Sequence, residues 1–408
     1  MLFMAASGQS GQLAGAVAHL QYREVDFAPL TWEIEVRRGA RFTKEPAFSG
    51  PGVFRGCFFL GPDTNLFLPF AWDARAQRLY LDLNRNRDLT DDPAGVIVAT
   101  DRGGELYRGL RLEFPSPEGP YRILVDAHLL GQRETPRVFF CVRSLWEGTV
   151  ELSGKQWYAA VIGKPDGRLG PATSLEEINS RLILRPWAER DKPCLWWHAK
   201  LPYAQNLDLV KLVTSAHRCA GNAEVFDAFN LPAKLFLQDQ AYRLDCQVEP
   251  RDAPAGLALR FEPVRAVLGR VRVGGDFIRR IVLDGSGAPD QFTAVVDAPG
   301  AEVQVPVGVY RRQMVRLQCE GGTNIAIGLG ANRLAVTETN VAIFNAGAPL
   351  RQTIEASGGA NGIVSLQYRL TNAAGLGFHV AFQNEKAPPQ LVIRQRDKLV
   401  EEGQFRFG

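Results

Sequence analysis

The sequence predicts a mainly β protein made of tandem β-sandwich-like domains, with a small mixed α/β segment in the middle. The first observation is that apolar and polar residues alternate in short runs, as in residues 31–38, 269–275 and 362–370. Successive side chains of a strand point to opposite faces, so a period of two is typical of sheets with one buried face. The second observation is that 40 Gly and 25 Pro residues break these runs into pieces of strand length.

Residues 1–19 are interpreted as a flexible N-terminal tail or the remnant of a signal peptide. Apolar residues from Leu2 to Ala6 precede a polar spacer of Gly, Gln and Ser. The apolar run is shorter than that of a complete signal peptide, and no basic residue precedes it. It matches the end of such a segment, so we expect an exported protein, extracellular or periplasmic.

Residues 20–168 are predicted to form a β domain that carries a calcium-like loop. Calcium takes six to eight oxygen ligands, and known calcium loops supply them from positions 1, 3, 5, 7, 9 and 12. With Asp82 as position 1, positions 1, 3, 5, 7 and 9 hold side chains with carboxylate, amide or hydroxyl oxygens. Asp92, one residue before position 12, serves as the sixth, and Asp91 is the alternative if the loop closes differently. The predicted metal ligands are therefore Asp82, Asn84, Asn86, Asp88, Thr90 and Asp92.

This stretch resembles the calcium loops of dockerin-type and EF-hand proteins, and it departs from them at two positions. Position 6 is Arg87 where glycine is usual, and position 12 is Pro93 where a bidentate carboxylate is usual. The alternative is a turn without metal, because Asn and Asp side chains bond to their own backbone and tolerate left-handed φ. The sequence leaves both interpretations open. If calcium binds, we expect it to have a structural role and to stabilise the loop.

Residues 169–255 are predicted to be a mixed helix and strand connector. Ser174 and Glu177 form a capping-box pattern, and apolar residues recur at helical spacing from Leu209 to Ala220. Between these segments lies an aromatic cluster, which could hold a flat, partly apolar ligand such as a sugar. The alternative is that these aromatic side chains belong to the core and to a domain joint. The candidate ligand-binding residues are Trp196, Trp197, His198 and Tyr203.

Six cysteines are scattered along the chain, and none has the spacing of a zinc or haem site. Cys194 and Cys219 flank the connector segment and are the best candidates for a disulfide. Buried free thiols are the alternative.

Residues 256–332 and 333–408 are each predicted to be a β-sandwich. Residues 305–318 resemble the P-x-G-x-Y strand of transthyretin-like and carboxypeptidase-regulatory-like sandwiches, with Pro306, Gly308 and Tyr310 in the motif positions. The resemblance implies that Tyr310 packs at a sheet corner, and it implies no activity. The C-terminal segment predicts a final hairpin. This ending and the loop near residue 82 are similar to exported bacterial proteins.

The composition argues against two classes of function. A net charge of +3 in 408 residues, without a basic run, does not favour a nucleic-acid binder. The sequence has no run of eighteen apolar residues, so it predicts no membrane span.

Two functional hypotheses remain. The favoured one is an exported, multi-domain β-sandwich protein that binds or scaffolds, at a cell surface or in an assembly, with one calcium-stapled loop. Its partner would be a protein or a polysaccharide, and oligomers are compatible with it. The alternative is a carbohydrate-directed hydrolase with its site around Trp196 to His198. Neither HExxH nor GxSxG occurs, and no catalytic residue is assigned.

Overall fold

The computed structural model describes residues 15–404 with gaps. The gaps are 26–29, 61–66, 102, 115–119, 132–134, 164–179, 191–227, 250–254, 286–289, 319–324, 331–332, 359–363, 382–389 and 396–397. The described residues are almost entirely β and contain no α-helix. The predicted mainly β class is therefore confirmed. None of the described helical segments is long and apolar enough to cross a membrane.

The described residues form thirty strands and two 3₁₀ turns. The strands are β1 (Ala16–Glu24), β2 (Leu30–Arg38), β3 (Phe54–Phe59), β4 (Phe67–Asp73), β5 (Arg78–Leu81), β6 (Val96–Val98), β7 (Leu106–Phe114), β8 (Tyr121–Leu130), β9 (Arg137–Val142), β10 (Ser144–Leu152), β11 (Lys155–Ile162), β12 (Arg181–Pro186), β13 (Ala228–Asn230), β14 (Lys234–Leu237), β15 (Gln240–Glu249), β16 (Gly256–Val264), β17 (Leu268–Gly274), β18 (Ile278–Asp284), β19 (Thr293–Asp297), β20 (Glu302–Pro306), β21 (Gly308–Tyr310), β22 (Arg312–Gln318), β23 (Ile325–Gly330), β24 (Leu334–Val336), β25 (Ala342–Asn345), β26 (Leu350–Gly358), β27 (Val364–Asn372), β28 (Gly377–Ala381), β29 (Gln390–Gln395) and β30 (Lys398–Gln404). The 3₁₀ turns are Pro93–Gly95 and Trp187–Glu189.

Strands β2 to β9 form an antiparallel sheet that closes on itself. Each strand pairs with the next in sequence, and β9 returns to pair with β2. A bridge between Ala99 and Tyr107 joins β6 to β7 and completes the ring. The rings of Phe58, Phe70 and Phe140 are fully buried, and the first two stack at 3.9 Å between centroids. Aromatic packing of this kind fills the centre of a small closed sheet.

A second sheet of fifteen strands runs through most of the remaining chain. Its order is β13-β12-β11-β10-β1-β16-β15-β14-β19-β18-β22-β23-β28-β27-β26. β1 connects its two halves by pairing with β10 on one side and with β16 on the other. The pairing of β15 with β16 continues across the predicted boundary at residue 255. The predicted domain boundaries themselves stay predictions.

The large sheet curls, so that its β12–β13 end packs against β18. Nη1 of Arg280 donates to the carbonyl of Leu184 at 2.9 Å, and the Asn230 amide donates to Asp284 at 3.2 Å. One apolar core extends through the closed sheet and this curled region. The two sheets are therefore packed together by shared apolar burial.

A three-stranded sheet, β20-β17-β25, packs against the β14–β19–β18 part of the large sheet. Tyr310 lies in this second core with 2% of its surface exposed, and its hydroxyl donates to the carbonyl of Pro306 at 2.7 Å. The burial of Tyr310 agrees with the packing that the P-x-G-x-Y motif implies.

Several predictions for the connector fall on residues that lie outside the described part of the chain. These include the helical segments from Ser174 and from Leu209, and the Cys194–Cys219 pair. The described thiols of Cys57 and Cys246 form no disulfide.

Candidate functional site

The candidate calcium loop follows β5 and covers the outer face of the β4–β5 pair. Leu89 is 2% exposed and packs against Ala71 and Tyr80, with three further apolar side chains around them. These are Phe42, Phe48 and Val53. Leu89 therefore anchors the loop to the outer face of the β4–β5 pair. Burying this side chain fixes where the loop lies on the sheet.

Asp82 is the buried centre of the loop. None of its surface is exposed, and its two carboxylate oxygens accept hydrogen bonds from the backbone N–H groups of Asn86 and Arg87, at 3.1 and 3.0 Å. Burial raises the pKa of the Asp82 carboxyl, and the nearby Asp92 carboxylate acts in the same direction. The backbone donors act in the opposite direction. The site therefore holds a carboxylate whose negative charge is incompletely compensated.

The next three polar residues form a series of turns in which each side chain bonds to the backbone two residues later. The Asn84 oxygen accepts from the Asn86 N–H at 2.9 Å, and the Asn86 oxygen accepts from the Asp88 N–H at 2.7 Å. The Asp88 carboxylate accepts from the Thr90 N–H at 2.8 Å. The hydrogen bonds that Thr90 donates to Asp88 from its hydroxyl and its backbone N–H are the main cause of a lowered Asp88 pKa. The nearby Lys44 acts in the same direction. These turns are the Asx turns expected of such a sequence.

Arg85 and Arg87 have left-handed backbone conformations, with φ of 62° and 69°. A non-glycine residue pays on the order of 1 kcal/mol for this conformation. The structure offsets the cost at Arg87, because its carbonyl accepts from the Thr43 N–H at 2.8 Å while its N–H binds Asp82. Arg87 thus adopts the left-handed conformation that the loop needs at position 6.

Asp91 and Asp92 close the loop in different ways. Asp91 accepts hydrogen bonds from the side-chain amides of Asn84 and Asn86, at 3.3 and 2.6 Å. Asp92 accepts from the Leu83 N–H at 2.9 Å. The sequence assigned Asp92 as a ligand and named Asp91 as the alternative to it. The bonds of Asp91 to the two amides depend on how the chain folds back.

The donor atoms of the loop suit a hard cation in chemistry, since they are carboxylate, amide and hydroxyl oxygens. Within the described residues, no group of three or more His, Cys, Asp or Glu side chains is arranged to hold a metal ion. Calcium binding by the six predicted ligands therefore stays a prediction.

An open groove of about 590 Å³ lies where β2 changes its partner from β9 to β3. Its carboxylates are Glu33 and Glu35, which pair with Arg137 at 2.9 Å and with Arg37 at 2.7 Å. Both carboxylates are therefore held in partly exposed ion pairs, which contribute about 1 kcal/mol or less each.

The predicted ligand-binding residues Trp196, Trp197, His198 and Tyr203 lie outside the described part of the chain. The alternative hydrolase site around them stays a prediction.

No protein-family model matches this chain, and no curated protein or solved structure matches it.

Proposed function

We propose that this chain is an exported binding or scaffold protein that presents its sheets to a protein or polysaccharide partner. The fifteen-stranded sheet is the observation that carries the proposal. Fourteen strand spacings give it a path of about 67 Å along the hydrogen-bonding direction. A sheet of this size offers long surfaces and, at β26, a nine-residue edge, whereas small-molecule and catalytic sites are usually concave pockets.

Calcium is proposed as a structural staple of the loop from Asp82 to Asp92. The buried Asp82 carboxylate and its neighbour Asp92 support this role, because a cation would offset the charge that burial leaves uncompensated. Pro93 at position 12 removes a bidentate ligand. We therefore expect weak affinity, with Kd on the order of 10⁻⁴ to 10⁻³ M, in the range of extracellular calcium modules. Such a site fills only where calcium is millimolar, which agrees with export.

Adding calcium at about one hundred times its Kd is expected to raise the free energy of unfolding by about 2.7 kcal/mol. The cause is that the folded loop binds calcium and the unfolded chain does not. The measurement is denaturant unfolding of the wild type in calcium, in magnesium and in chelator. We expect Asp82→Ala to abolish the calcium increment, since it removes the central carboxylate.

The matched control is Asp101→Ala. Asp101 also accepts backbone hydrogen bonds, from Glu105 at 2.9 Å and Leu106 at 2.8 Å, but it lies outside the loop. This variant should lose stability and keep the calcium increment. Equal unfolding curves of the wild type in calcium and chelator would end the metal proposal and leave a loop held by Asx turns.

Export and assembly are tested on the native protein in its own cells. We expect it in the periplasmic or extracellular fraction, with an N-terminus downstream of Met1 by mass spectrometry. Cross-linking before lysis should recover it in complexes with another protein or with polysaccharide. An intact Met1 in the cytosolic fraction, without cross-linked partners, would overturn the proposed function.

A further inference from the structure

β26 is the last strand of the fifteen-stranded sheet. It pairs with β27 over nine consecutive residue pairs, from Leu350 to Gly358, without a bulge. Among the described residues no strand pairs with its other side. One row of the backbone N–H and C=O groups of β26 is therefore turned away from β27, its described partner strand.

The β26–β27 ribbon extends past its neighbour in the sheet. Among the described residues, β27 pairs with β28 at Leu370 and Thr371, and the described part of the ribbon beyond them is two strands wide. Residues 351–355 are exposed on both faces, and Ile354 is 51% exposed. A two-stranded ribbon of this kind is marginally stable alone in water and gains from a third strand.

This edge lacks most of the features that usually protect edge strands. Proteins block such edges with charged side chains, lysine above all, or with proline, bulges or very short strands; β26 carries only Arg351 and Glu355, whose charges are opposite. β26 has nine residues, contains neither proline nor lysine, and keeps a regular register.

The sequence of β26 is complementary to itself in the antiparallel direction. With a two-fold axis at Thr353, Arg351 of one copy lies opposite Glu355 of the other, and the same pair recurs across the axis. Thr353 then lies opposite its own copy, and Gln352 opposite Ile354. Opposite charges and Thr–Thr pairs in directly facing positions stabilise antiparallel strands. An exposed carboxylate can serve a partner within the chain and one in a second chain.

We propose that β26 pairs antiparallel with β26 of a second copy of this chain and joins two fifteen-stranded sheets into one. This inference deepens the proposed scaffold function by naming one assembly contact. The contact is symmetric, so it forms a closed dimer.

The experiment is sedimentation velocity of the purified full chain over a dilution series. The wild type is expected to dimerise. Arg351→Glu places two glutamates opposite each other at two positions, and it should weaken the dimer on the order of tenfold or more. Glu355→Arg places two arginines opposite each other at the same two positions and should weaken the dimer to a similar extent. The double variant Arg351→Glu with Glu355→Arg restores both pairs with reversed charges and should recover the dimer.

The matched control is Arg265→Glu, which makes the same change of charge at an exposed residue between β16 and β17. It should dimerise like the wild type. A wild type that stays monomeric, or a double variant as weak as the single ones, would overturn the β26 contact. A monomeric chain that is still exported and cross-linked to other partners leaves the scaffold function standing. A dimer found only in the cytosol leaves the contact and removes the scaffold function.

Discussion

Replacing Asp297 with alanine is expected to lower the free energy of unfolding by about 3 to 5 kcal/mol. Asp297 holds Arg280 through two parallel hydrogen bonds, from Nε at 2.6 Å and from Nη2 at 3.0 Å. The Arg280 side chain is only 4% exposed. Removing the carboxylate takes a negative charge and two hydrogen bonds away from a buried guanidinium, and that loss is costlier than the pair itself is stabilising.

The position of Arg280 makes this effect large. It lies on β18 between Asp297 of β19 and Arg316 of β22, which face it directly in the two neighbouring strands. Its Nη1 also holds the carbonyl of Leu184, where the large sheet curls over β18. Loss of Asp297 therefore weakens the contact between two distant parts of the sheet as well as a local pair.

The measurement is denaturant unfolding, with Glu302→Ala as the matched control. Glu302 pairs with Arg270 at 3.5 Å, and both side chains are exposed. An exposed pair contributes about 1 kcal/mol or less, so the control should change stability little. Equal losses in the two variants would contradict the buried role of Arg280.

The strands of this protein could be predicted because the signal for a strand is local. Alternation in residues 269–275 predicts β17. The motif from Pro306 to Tyr310 predicts that the tyrosine packs against the sheet, and its hydroxyl donates to the Pro306 carbonyl in the structure. Closure of the first sheet could not be predicted. It depends on the return of β9 to β2 and on one bridge from Ala99 to Tyr107, and neither follows from periodicity.

The same distinction between local and distant contacts holds at the site. Asp82 accepts hydrogen bonds from the backbone of Asn86 and Arg87, four and five residues later. Contacts this close in sequence are why the spacing could predict an Asx-rich turn. The bond from Thr43 to the Arg87 carbonyl spans 44 residues and could not be anticipated. Arg280 was missed for a related reason: a charged residue in an alternating strand suggests a solvated face, and only the curled sheet buries it.

Lowering the pH from 6.5 to about 4 is expected to remove about 3 kcal/mol of stability through His128 alone. His128 lies on β8 between Leu106 and Phe139 of the neighbouring strands and is 2% exposed. Its Nε2 atom is buried, and no described residue hydrogen-bonds to it. Burial lowers the pKa of this imidazole to about 4, with Asp101 acting against the shift and Arg108 with it.

The direction follows from counting protons. Between pH 6.5 and about 4 the unfolded chain protonates His128 while the folded chain keeps it neutral, so the unfolded state binds more protons. Stability therefore rises with pH through this window and is fully present above it. His128→Leu removes the titrating group, and the difference in unfolding free energy between wild type and variant should change by about 3 kcal/mol across the window.

His19→Gln, at an exposed histidine paired with Glu249, is the control and should lose stability over this pH range as the wild type does. If His128→Leu loses the same stability as well, the acid sensitivity arises from other groups, and the imidazole is not buried as a neutral base.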